Sequence, residues 1–120
     1  MRALVIALWF VGAMTTTIIA GASELPTGPR ALFEAGNAAY ADGDFVGAIE
    51  HYEAVLRDYS HCGSEYNLGN AYFKSGDLGR AILHYERAKA LNPSDDDIAS
   101  NLMLANMRVV DRIEPLPSNV

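Results

Sequence analysis

Cysteine occurs once in this chain, at Cys62, and tryptophan once, at Trp9. A lone cysteine excludes a disulfide within the chain and leaves a cysteine-built zinc centre without its second ligand pair. Cations are also scarce: 9 Lys and Arg stand against 15 Asp and Glu, a formal charge of −6. That balance argues against nucleic acid and anionic lipid surfaces, which are held by basic patches. Phosphate loops, glycine fingerprints and nucleophile motifs are absent as well. His51 and His84 fall at equivalent places in a repeat and read as helix-surface elements of it, and His61-Cys62 has no second pair at zinc spacing. The chain reads as a non-enzyme that needs no cofactor and holds no metal.

What is present begins with an apolar run. Arg2, "ALVIALWFVGAM" and a close in Ala20-Gly21-Ala22 follow the order of a signal peptide over residues 1–22, with cleavage expected before Ser23. The alternative is an uncleaved N-terminal anchor, the only route by which this chain would touch a membrane. Either reading exports the remainder, to the periplasm or the outer face of the inner membrane. Residues 23–29 read as a linker. Cys62 does not follow the signal directly, so it reads as a small, half-buried residue between repeats, with a reactive or intermolecular thiol as the alternative.

The remainder matches itself. "GNAAYADGDFVGAIEHYEAVL", from Gly36, lies on "GNAYFKSGDLGRAILHYERAK", from Gly69, at a spacing of 33 residues. Such a period marks stacked repeats. Each unit predicts two helices, at about Pro29 to Ala41 and Phe45 to Asp58, then Ser64 to Ser75 and Leu78 to Leu91. Gly43-Asp44 and Gly76-Asp77 supply the stop and the cap between them. Small residues within these helices let neighbours approach: Gly69 and Ala81 are the gaps, and Tyr72, Tyr85 and Leu91 the expected fillers.

Leu68-Gly69, Tyr72, Gly76, Ala81, Tyr85, Ala88 and Pro93 together resemble the tetratricopeptide repeat. The departures are Glu65 where a tryptophan is usual and, in the first unit, Ala35, Ala39, Val55 and Ser60. The resemblance implies an all-α, right-handed solenoid: repeat one at about 30–60, repeat two at about 62–95, a capping helix at about 95–110 and a proline-rich tail over 111–120. It also implies a peptide-binding groove on the first helices. There the groove positions fall on Phe33, Glu34, Asn37, Tyr66, Asn67, Asn70, Phe73 and Lys74, with Asp97 and Asn101 on the capping helix. In the carboxylate-clamp subset two asparagines work with several cations. Asn37 and Asn67 match, but Phe33, Asp97 and Asn101 stand where the cations would be.

Ser94 and Asp97 offer an N-cap arrangement for the last helix, and capping is favoured over a calcium site for Asp95 to Asp97 because the loop glycine is missing. Ile98, Leu102, Ala105 and Val109 form one apolar stripe, able to cover the second repeat; Met103, Met107 and Val110 form another, left open. The segment from Tyr66 to Pro117, with "NLMLANMRVVDRIEPLP" its more specific part, resembles the repeat domain of BatE-type proteins of bacterial aerotolerance operons, and the resemblance spans Leu32 to Pro117. That resemblance implies an exported scaffold in an envelope stress system, beside von Willebrand A-type membrane proteins and a MoxR-type ATPase. The expected function is therefore a protein-binding adaptor. The alternative is a self-associating structural module, a homodimer through Met103, Met107 and Val110.

Overall fold

A computed structural model describes residues 25–113 of the 120; the signal-peptide or anchor reading of residues 1–22 and the tail beyond 113 lie outside the described residues. Five helices follow one another: α1 (Pro29–Ala41), α2 (Phe45–Leu56), α3 (Cys62–Ser75), α4 (Leu78–Leu91) and α5 (Asp96–Arg112). Each packs chiefly on its neighbours in sequence, the arrangement of a solenoid of helical hairpins.

Local chemistry fixes the hairpins. Gly43 and Gly76 adopt φ of +80° and +87°, left-handed values that end α1 and α3 without a Cβ penalty. One residue later Asp44 and Asp77 cap the next helix, accepting hydrogen bonds from the Gly47 and Arg80 amides at 2.9 and 3.1 Å.

Four helix ends differ from expectation. α3 begins two residues early, at Cys62, because the His61 ring caps it: Nδ1 accepts from the Ser64 amide at 3.0 Å. α2 stops at Leu56. α5 is capped by Asp95 rather than Ser94, its Oδ1 accepting from the amides of Asp97 and Ile98 at 3.0 and 3.2 Å. It also runs past Val110 to Arg112, whose Nη1 donates to the Gly76 carbonyl at 3.1 Å and so ties the helix end to the α3–α4 turn.

The core explains the small residues. A Cβ on Gly36 would stand 2.6 Å from the Tyr52 ring, and one on Gly69 2.6 Å from the Tyr85 ring. Both tyrosines are 1% exposed, so each ring lies across the backbone of the facing helix. Ala48, Ala71, Ala81, Ala88 and Ala105 are fully buried at the helix crossings. Leu91, an expected filler, is instead 47% exposed, since it is the last residue of α4 and extends beyond the crossing.

Candidate functional site: a polar ladder across the first helices

Tyr52 and Tyr85 each pass over a glycine, and their hydroxyls emerge on the face formed by α1, α3 and α5. There Tyr52 Oη donates to Asn37 Oδ1 at 2.7 Å, and Asn67 Nδ2 donates to the same oxygen at 3.0 Å. One repeat on, Tyr85 Oη donates to Asn70 Oδ1 at 2.7 Å and Asn101 Nδ2 donates to it at 2.9 Å. Asn101 Nδ2 also donates to Tyr66 Oη at 2.9 Å. The motif is thus Tyr, Asn, then the Asn of the next first helix, built twice. It stitches α1 to α3 and α3 to α5.

The ladder determines which amide atoms remain for a ligand. Asn37 and Asn70 use their oxygens internally and keep Nδ2, a donor; Asn67 and Asn101 use Nδ2 and keep their oxygens. Along the face the free groups alternate donor, acceptor, donor, acceptor.

Two small cavities flank the ladder. One, of about 220 Å³, is lined by Asn37, Tyr40, Tyr52, Asn67 and Asn70. The other, of about 250 Å³, lies between Tyr40, Asn70, Phe73, Lys74, Asn101 and Leu104. Six expected positions, Asn37, Asn67, Asn70, Phe73, Lys74 and Asn101, therefore converge, with Tyr66 joined through Asn101. Phe33 stands apart, packed edge-on to His61 and walling a separate apolar cavity of about 500 Å³ with Val55 and Tyr59. Glu34 is paired with Arg30 at 2.9 Å and Asp97 lies in the first turn of α5. Met103, Met107 and Val110 are 63%, 56% and 67% exposed and line neither cavity.

Three groove residues escaped the sequence reading. Arg108 places its guanidinium 5.0 Å from the Phe73 ring centroid. Tyr40 and Leu104 line the cavities. The signal was available: Tyr40 is the first-repeat equivalent of Phe73, and Arg108 and Leu104 follow Lys74 and Asn70 by one repeat.

The histidines also part company. His84, read as a surface element, is buried, with Nδ1 2.7 Å from Glu65 Oε2 and its ring stacked on Tyr72. His51 has the same repeat position but faces no acid there, because Leu32 replaces Glu65 in the first unit. Cys62 packs with Sγ 3.6 Å from the Ala88 carbonyl, and burial, with Asp95 and Glu65 nearby, pushes its thiol pKa up. Among the described residues no three metal-ligating side chains come together.

Two sequence models of the tetratricopeptide repeat match this chain, one over residues 13–61 and the other over residues 64–95. The chain carries tetratricopeptide repeats. Among solved structures, it is similar to the C-terminal tetratricopeptide-repeat domain of a Plasmodium falciparum FK506-binding protein. That likeness has a TM-score of 0.65 at 25% identity and covers 69% of this chain and 56% of the other. No curated protein matches the sequence. The all-α tetratricopeptide solenoid is thereby established, and such repeats serve generally as protein-interaction modules.

Proposed function

We propose that this chain is an exported, non-catalytic adaptor that holds an extended segment of a protein partner across α1, α3 and α5. The observation that carries the reading is the alternation of free donors and acceptors along the ladder, which suits the alternating carbonyls and amides of an extended peptide. Phe73, Lys74 and Arg108 beside it add an apolar face and two cations. The BatE-type resemblance supports a place in a bacterial envelope stress complex, with von Willebrand A-type membrane proteins as the partners to try first. Among the described residues no helix is long and apolar enough to cross a membrane.

The test is capture of those partners by the full chain. Asn70→Ala would strand the Tyr85 hydroxyl and Asn101, mixing binding with stability. Lys74→Ala touches only the open side, and Phe73→Ala, at a half-buried ring packed on the edge of the core, strands no hydrogen bond; these are the cleaner probes. Both are expected to weaken capture at unchanged helical circular dichroism; undiminished capture by the double variant would remove the groove from the account.

The exposure of Met103, Met107 and Val110 favours a second reading, self-association through α5. Light scattering over a concentration series, with Met107→Asp as control, separates the two. A dimer lost in Met107→Asp would put the structural reading first.

A further inference from the structure

On the side away from the ladder, α2 and α4 stand apart over α3 and leave an open crevice of about 810 Å³. Its floor is Leu68, Tyr72 and the Glu65–His84 pair. Position 65 is where the repeat pattern calls for a tryptophan, and a carboxylate there fills far less of the space above α3. The floor is nonetheless a finished one: Glu65 is bonded to His84, and Tyr72 Oη donates to Glu53 Oε1 at 2.7 Å. A polar floor with its bonds already made, under apolar walls, is a surface that can be covered without leaving buried groups unpaired.

The walls are apolar in the middle and oppositely charged along their rims. From α2 come Val46 and Ile49 with Glu50 and Glu53; from α4 come Leu83 with Arg80 and Arg87. Val46 is 65% exposed and Leu83 46%, so both apolar walls face water. The acids line the α2 side and the cations the α4 side, with Arg57 at the far end of α2. The α2 wall extends from Val46 to Leu56, about three helical turns.

We propose that this crevice is a second docking site, independent of the ladder face, and that its occupant is an amphipathic helix of a partner protein. That helix carries an apolar row at helical spacing, with cations along one flank and anions along the other. A helix laid along the crevice has its apolar row covered by Val46, Ile49 and Leu83. The charged rims set its direction: cations on the α2 side meet Glu50 and Glu53, and anions on the α4 side meet Arg80 and Arg87. Reversing the helix end for end would place like charges together on both rims.

The probe is a labelled synthetic helix of about four turns, with a leucine row, lysines on one flank and glutamates on the other. Two companions carry lysine on both flanks or glutamate on both. Fluorescence anisotropy on the full chain should show the mixed helix binding about tenfold more tightly than either companion, the sum of several modest rim pairs. Leu83→Asp, or Val46→Asp if the first variant folds poorly, should abolish binding, while Phe73→Ala on the ladder face should leave it unchanged. Arg80→Glu combined with Arg87→Glu makes both rims acidic and should transfer the preference to the all-lysine helix. The proposal is overturned if none of the three helices binds, if all bind alike, or if binding follows Phe73 rather than Leu83. A concentration-dependent dimer abolished by Leu83→Asp would also overturn it, by showing a second copy in the crevice.

Discussion

Glu65 and His84 show how much one substitution in a repeat can reorganise. Both are buried, and their contact at 2.7 Å is the polar link between α3 and α4 on the crevice side. Removing the imidazole leaves a largely desolvated carboxylate without its partner. His84→Ala is therefore expected to destabilise the domain by about 2 kcal/mol, measured by urea denaturation. Glu65→Leu combined with His84→Ala should recover part of that loss, because no charge is then stranded. Equal losses in the single and double variants would mean the contact contributes nothing. The pair was hidden in the sequence, where Glu65 reads only as a departure and His84 only as a copy of His51. Gly69 was legible for the opposite reason: its contact with Tyr85 obeys the repeat rule, so the spacing alone announced it.

At the scale of the element, α5 repeats the first helix of a unit, and among the described residues no second helix follows it. Leu102 and Ala105 repeat the buried roles of Leu68 and Ala71, and Asn101 completes the ladder. The pattern then breaks. Met103 stands where Gly36 and Gly69 admit a tyrosine ring, and Leu104 stands where Asn37 and Asn70 receive its hydroxyl. The Gly-Asn pair that receives Tyr52 and Tyr85 is thus missing from α5, and of the two stripes read from the sequence Ile98, Leu102 and Ala105 are buried while Met103, Met107 and Val110 are exposed. Asp95 holds the start of this helix through two amide bonds. Asp95→Ala should lower stability by about 1 kcal/mol and speed hydrogen exchange at the Asp97 and Ile98 amides first. Unchanged exchange there would show that packing of Ile98 and Leu102, not the cap, fixes the helix start. The sequence located this helix but misplaced its cap by one residue, since Ser94 and Asp95 are both good caps and only the backbone path chooses between them.

Across the whole molecule, the buried tyrosines link packing to pH. Tyr85 is pushed well above the ordinary tyrosine value, first by burial and then by Tyr66 and Tyr40 nearby. Tyr52 is raised chiefly by burial, and Tyr72 by burial and by its bond to Glu53. Each hydroxyl donates a hydrogen bond, so the folded chain favours the protonated form. In the unfolded chain these groups lose their protons near pH of about 10. Above that value the unfolded state binds fewer protons than the folded one, and stability falls as pH rises; below it the contribution is complete. The Cys62 thiol, also raised, adds a decline of the same sign. Tyr85→Phe should cost about 1 kcal/mol at neutral pH by removing the bond to Asn70, yet flatten the alkaline decline relative to the parent chain. Thermal melts at neutral pH and above pH of about 10 distinguish these effects. If the variant lost stability with pH as steeply as the parent, Tyr85 would not be the group that couples the ladder to the core. If its decline were shallower, the hydroxyl that orients Asn70 in the groove would also be one that holds α4 to α3, and groove geometry and fold stability would be lost over the same pH range.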